Sequence, residues 1–261
     1  MIDNETTRLL ASRTSVRAFQ DKGIDEEIVE QLKTLTQRAP SAGNMQYWSV
    51  IEVTDPDRRK TLAHLWDNQE MIAKAPLVWI FLADLEKWYD HFRLSGCQGL
   101  TDRSAAYGWG NTHLALQDAL IAAQNAVVAA QALGLGSCYV GDCIENTEQM
   151  TELLKLPRHA IIATALIFGW PKGQNGPRNL SPRCPNDFIF MKDTYQKRTF
   201  EELEEANKEK EDLLRRSGRL KALGADNIAQ YYYLRKHTSA FMAEMNRSAG
   251  IFMKACAEEP Q

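Results

Sequence analysis

The chain has 261 residues, 44% of them apolar and 25% charged, with a formal net charge of −3 and a pI near 6.0. Those values fit a globular chain able to bury a substantial core, and they exclude a disordered segment and any general binder of nucleic acid or anionic membrane, which needs a basic surface. Five cysteines, Cys97, Cys138, Cys143, Cys184 and Cys256, form no CxxC pair, so no disulfide framework and no metal site is expected, and a reducing cytoplasm is the expected location.

The opening "MIDNETTRLLASR" lacks a basic stretch followed by an apolar run, and no segment has the unbroken apolar length of a membrane span. Next comes "ASRTSVRAF", residues 11–19. In an extended segment Arg13, Ser15 and Arg17 project to one side and Ser12 and Thr14 to the other, which is the layout of an anion clamp or of a plain solvated strand. "GIDEEIVEQLKTLTQRAP" predicts an amphipathic helix capped by Asp25, with Ile28, Val29, Leu32 and Leu35 on one face and Pro40 as its stop. "YWSVIEVTDP" predicts a strand, after which Asp55 caps a short helix through Leu65. "LVWIFLAD" is an apolar run suited to a strand buried on both faces.

Residues 86–110, with Trp88, Tyr89, Tyr107 and Trp109, show no steady period and predict a loop or lid. From Asn111 to Leu133 an Ala-rich helix carries small and aliphatic residues on nearly every face, so it is either a central core helix or a subunit interface. "SCYVGD" predicts a short strand, "NTEQMTELLKLP" a capped helix and "AIIATALIFGWP" a second buried strand. Lys197–Arg219 is dominated by Glu, Lys and Arg at helical spacing and predicts a solvated helix, with further helices in "NIAQYYYLRKH" and "AFMAEMNRSAGIFMKAC".

Chemical motifs are sparse. "GLGSCYVG" has the glycines of a dinucleotide fingerprint in the wrong order of strand and helix, and no GxxxxGK[ST], GxSxG or HExxH sequence is present. The five histidines lack metal-ligand spacing, and Cys138 and Cys143 flank a strand end where a thiolate could be exposed, although no histidine is near in sequence to activate one and a free Cys is usually a small buried hydrophobe. "PSAGNMQYW", residues 40–48, reads either as a simple turn or as a flat, donor-rich loop that could lie against a planar ligand. In "NLSPRCP", residues 179–185, two prolines restrict the backbone around Arg183 and hold its guanidinium in a fixed direction.

Together, Arg13-x-Ser15-x-Arg17, "PSAGNMQ" (40–46), "NQEMIAKAP" (68–76), "GLGSCYVGD" (134–142), "LLKLP" (153–157), "IFGWP" (167–171) and "SPRCP" (181–185) resemble the FMN-dependent nitroreductase and flavin reductase family, in particular its larger NADPH-using branch. The resemblance implies an α+β, nitroreductase-like sheet-and-helix core over residues 1–196, with a charged helical C-terminal arm over 197–261, in an interlocked homodimer. It implies that Arg13, Ser15, Arg17 and Arg183 hold the phosphate and ribityl chain of FMN, a dianion well matched by guanidiniums and a hydroxyl. By the same resemblance Pro40, Ser41, Gly43 and Asn44 approach the flavin from the second subunit and Gln69 meets the pyrimidine edge. Backbone amides around Val140, Gly141 and Asp142 point at N5 and O4, and further cofactor contacts fall at Thr14, Gln46, Tyr139 and Ser181.

In such a protein the flavin carries the hydride chemistry at N5, which accounts for the lack of an acid–base pair or nucleophile. The implied activity is ping-pong reduction of small aromatic or quinone acceptors, nitroaromatics or free flavin by NADPH or NADH. Alternatives on the same scaffold are a specialised dehydrogenase or reductive dehalogenase, or a non-catalytic flavin-binding redox sensor. Three positions depart from the family: Ser12 where relatives often have His, Ser181 where they often have Lys, and Asp142 where they frequently have Gly. An Asp142 carboxylate facing the ring would disfavour the anionic reduced flavin, and one turned away would not.

Overall fold

In the computed structural model, which describes residues 2–103, 106–173 and 180–257, four strands form one antiparallel sheet. They are β1 (Trp48–Glu52), β2 (Leu77–Asp84), β3 (Gly136–Val140) and β4 (Ala160–Gly169), in the order β1-β2-β4-β3. The two central strands are the two apolar runs of the sequence, because only strands covered on both faces lack polar alternation. In β2, Val78, Ile80 and Leu82 enter one apolar cluster, while Leu77, Trp79 and Phe81 enter another on the opposite face. Opposite the Phe81–Leu82 step β4 carries one extra residue, Ala163, and this bulge lets Ile162 and Ala165, on either side of it, both reach the first cluster.

The first compact unit, Met1–Gly176 with Glu244–Gln261, contains this sheet. Its helices are α1 (Glu5–Ser12), α2 (Glu26–Thr36), α3 (Pro56–Leu65), α4 (Glu70–Lys74), α5 (Glu86–Leu94), α6 (Trp109–Ala132) and α7 (Thr147–Leu154). In α6, Ala115, Ala119, Ala122, Ala123, Ala126 and Ala130 are fully buried, and side chains this small let the helix axis approach the sheet closely. The opposite face of α6 leaves Leu114, Leu120 and Ile121 more than 40% exposed, so one chain does not cover it. The second unit, Pro177–Ala243, contains α8 (Asn186–Ile189), α9 (Phe200–Arg216), α10 (Arg219–Ala222) and α11 (Ile228–Tyr232), with its own small cluster of Leu214, Leu220, Ala225, Ile228 and Tyr231. The last helix, α12 (Ala240–Ala257), carries Ser248, whose hydroxyl accepts from Thr147 N–H at 2.9 Å, and Arg247, which grips both oxygens of Glu148.

Most expected elements are present, including the Asp55 cap, whose carboxylate accepts from the amides of Asp57 and Arg58. Two expectations are corrected, the loop at 86–94 and the caps of α2 and α7, while the cysteines are the small buried side chains that free Cys usually is. Residues 86–94 are helical, not a loop: α5 is held where the His159 ring packs 4.6 Å from Tyr89 and its Nδ1 lies 2.9 Å from Glu86. Asp25 stands at the N-cap of α2 without a side-chain cap bond, and Asn146 before α7 is left-handed and donates instead to Leu65 O. Cys138 and Cys143 are both buried, and burial pushes their thiols up, so neither presents a thiolate. The helix α1 was not anticipated: it has no buried residue and is started by a reciprocal cap between Asn4 and Thr7. Ser104 and Ala105 of the expected lid, Asn179 of the Arg183 motif, and residues 258–261 of the expected arm lie outside the described residues.

Candidate functional site

The segment after α1 runs extended beside β3. Ser15 bridges to Ser137, Val16 N–H donates to Ser137 O at 2.8 Å, and Gln20 N–H donates to Trp170 O at 2.8 Å. Alternation holds from Ser15 to Arg17, whereas Ser12, expected to face the other way in an extended run, is the last residue of α1. Val16 is buried at 4% exposure, while Ser15 and Arg17 are exposed and Arg13 and Thr14 half-buried. The Cys138 thiol, raised mainly by burial, is pulled back by the charges of Arg17 and Arg13 and by polar contacts from Arg17 and Ser15. No carboxylate pairs with Arg13 or Arg17 among the described residues. Two guanidiniums and a hydroxyl without a counter-charge form a ready anion site.

The 40–46 loop is pinned from beneath. Asp118, 2% exposed on α6, accepts from Ala42 N–H at 2.9 Å and from Tyr47 N–H at 3.3 Å, and Ser41 Oγ accepts from Gln46 N–H at 3.1 Å. Gly43, Asn44 and Gln46 adopt left-handed backbone, with φ of 57°, 56° and 49°. Pro40, Gly43, Asn44 and Gln46 are exposed and Ser41 is half-buried, so the rigid loop offers an open polar surface. Trp88 Nε1 donates to Met45 O at 2.7 Å and fastens the same loop to α5.

At the end of β3, Val140 is buried, Tyr139 is exposed with its hydroxyl donating to Gln124 at 3.3 Å, and Gly141–Ile144 forms a 3-10 turn. Gln69, at the N-cap of α4, donates from Nε2 to Trp66 O at 3.1 Å and to Asp142 Oδ2 at 2.5 Å. The Asp142 carboxylate is therefore engaged with Gln69. Beside it, Glu145 is 6% exposed with one carboxyl oxygen unpartnered. Burial first, then the charges of Asp142, Asp67 and Glu244, push its carboxyl up to about 7.

Arg183 and Ser181 belong to the second unit, where Arg183 Nη1 donates to the carbonyls of Ser181 and Pro182 at 3.4 Å and no carboxylate pairs with it among the described residues. Sequence reasoning missed Asp118 and Glu145. A single acid in an Ala-rich helix or a turn carries no local mark of burial, and only an unexplained charge in the otherwise apolar α6 stripe pointed to Asp118. A cavity of about 670 Å3 is bounded by Lys33, Trp48, Trp79 and Lys87 and shares only Gln46 with the candidate residues. Among the described residues no group of His, Cys, Asp and Glu is placed to hold a metal ion, and no helix is long and apolar enough to cross a membrane.

A sheet-and-helix core with a cation cluster, without carboxylate partners among the described residues, on the extended segment beside β3 defines a class that comparison with known proteins makes specific. The nitroreductase family model matches residues 10–170. The chain is 32% identical over 193 residues to an oxygen-insensitive NADPH nitroreductase of Salmonella typhimurium, covering 73% of this chain and 75% of that protein. It is 30% identical over 196 residues to an FMN reductase (NADPH) of Bacillus subtilis, covering 75% and 76%. The fold is shared with B. megaterium NfrA2 at a TM-score of 0.79, 24% identity and coverage of 94% and 98%. It is also shared with the NADPH:FMN oxidoreductase of Vibrio harveyi, solved with NAD+, at a TM-score of 0.74, 21% identity and the same coverage. This chain belongs to the nitroreductase family.

Proposed function

We propose that this protein is an FMN-dependent NAD(P)H oxidoreductase that reduces nitroaromatics, quinones or free flavin, with the nicotinamide and the acceptor using one face of the cofactor in turn. The observation that carries the reading is the Arg13, Ser15, Arg17 cluster, whose guanidiniums have no carboxylate partner among the described residues and so suit a phosphate. Bound FMN supplies the hydride chemistry at N5. The chain's own residues bind and orient it. Arg13 and Arg17 hold the phosphate, with Ser15 and Thr14 as neutral neighbours, and the turn beginning at Val140, Gly141 and Asp142 lies against the ring edge, with Tyr139 alongside. For Arg183 and Ser181 the support is the family resemblance together with a guanidinium lacking a carboxylate partner.

The rigid, exposed 40–46 loop and the uncovered aliphatic face of α6 support a homodimer in which Pro40, Ser41, Gly43, Asn44 and Gln46 reach the partner's cofactor. Each large aliphatic side chain gains about 1.5–3 kcal/mol on full burial, so covering Leu114, Leu120 and Ile121 is a strong drive to association. A cytoplasmic location accords with three buried cysteines kept as free thiols. The decisive experiment is anaerobic titration of protein reconstituted with FMN: NADPH or NADH should bleach the flavin, and menadione or nitrofurazone should restore its colour. A protein that takes up no FMN sinks the reading, and one whose flavin neither nucleotide bleaches is a flavin-binding sensor.

A further inference from the structure

The Gln69 amide has a fixed polarity. Its Nε2 sits 3.1 Å from the Trp66 carbonyl oxygen and 2.5 Å from Asp142 Oδ2, and both of those atoms can only accept. Turning the amide over would set Oε1 against two acceptors, so both N–H groups are committed inward. Among the described residues none donates to Gln69 Oε1, and the residue is half-buried, so this is the polar atom that remains for a ligand. The backbone fixes the direction further, because Asp67 and Asn68 are both left-handed, with φ of 56° and 53°, and deliver Gln69 as the N-cap of α4.

We infer that Asp142 is a positioning residue that locks Gln69 with its carbonyl oxygen outward, so that the site selects a ring edge presenting an N–H donor there, the N3 imide of an isoalloxazine. The inference rests on the FMN reading above and deepens it. With a small, neutral residue at position 142, the Trp66 carbonyl alone opposes amide rotation and Gln69 is held to one polarity far more weakly. Here the carboxylate removes that freedom, and it does so without facing the ring as a bare charge.

The test uses full-length apoprotein, with binding of FMN and of 3-methyl-FMN followed by flavin fluorescence quenching. The wild type is expected to favour FMN by at least about 10-fold, since the methyl group removes the donor that Oε1 accepts. In Asp142→Asn the new amide can donate to Gln69 Oε1 and let the glutamine turn, and the preference is expected to shrink to about 3-fold or less. Asp142→Gly, which removes the lock without adding bulk, gives the same collapse and serves if the Asn variant does not fold. The ratio is a readout that mere loss of stability would not move, because it compares two ligands in one protein. Equal affinity of the wild type for both flavins, or an undiminished ratio in the Asp142 variants, overturns the inference alone. Failure of the wild type to bind either flavin overturns the FMN reading itself, and this inference with it.

Discussion

Val16 and Gly136 meet so closely that a Cβ placed on Gly136 would lie 2.7 Å from the Val16 side chain. The contact seats the Arg13–Arg17 segment against the first residue of β3, and no rotamer of valine relieves it because the Val16 Cβ itself is among the obstructing atoms. Gly136→Ala is expected to cost about 1–3 kcal/mol, as overpacking does, and to weaken FMN binding by displacing the clamp. Thermal unfolding together with fluorescence titration checks both effects, and a variant with unchanged Tm and unchanged FMN affinity contradicts the packing argument.

The clamp itself makes a cleaner experiment, because its arginines hold up little of the fold. With no carboxylate partner among the described residues to lose, Arg13→Ala combined with Arg17→Ala should leave the far-ultraviolet circular dichroism unaltered. FMN retention should fall by about 100-fold or more, at about 1.5–3 kcal/mol for each charged hydrogen bond removed. Equilibrium dialysis measures this, and retention at the wild-type level dissociates these residues from the phosphate.

Asp118 predicts a stability effect through the loop that it pins. Removal of its carboxylate strands the amides of Ala42 and Tyr47, so Asp118→Ala should lose about 2–4 kcal/mol. Asp118→Asn, which keeps one acceptor oxygen, should fall between the two. Urea denaturation reads the change as a shifted midpoint at constant slope. Limited proteolysis should show the 40–46 loop becoming cleavable in the alanine variant first.

Glu145 makes stability depend on pH with a definite sign. Its carboxyl is raised to about 7 in the folded protein, above the ordinary value of 4.5, so the folded state binds the proton more tightly than the unfolded chain. The stabilisation from that proton is complete below about 4.5 and is lost as pH rises through about 7. Glu145→Gln keeps a neutral group of the same shape and should flatten this slope, matching the wild type in mild acid and exceeding its Tm at pH 8. Parallel Tm profiles for the two proteins would refute the assignment.

What could be read from the amino-acid order was whatever depends on near neighbours. "LVWIFLAD" and "AIIATALIFG" appear as the central strands because continuous apolarity has few other solutions in a mixed fold, and the Ala-rich stretch appears as α6. Around Val16 the chain does alternate, with that residue buried between exposed Ser15 and Arg17, since an extended backbone turns successive side chains to opposite sides. α1 escaped notice because it buries nothing and so leaves no apolar period, and residues 86–94 read as a loop because α5 is held by partners distant in the chain, His159 among them.

The site's supports were decided only by folding. Asp118 and Ala42 are 76 residues apart, and Gln69 and Asp142 are 73 apart. Composition and spacing cannot bring such pairs together. They meet because packing of the sheet against its helices sets distant backbone atoms within hydrogen-bond reach, and burial then makes each polar match costly to leave unmade. Local sequence thus determined which segments could be strand, helix or cation clamp, while long-range packing determined which lone acid holds the loop and which one aims the glutamine.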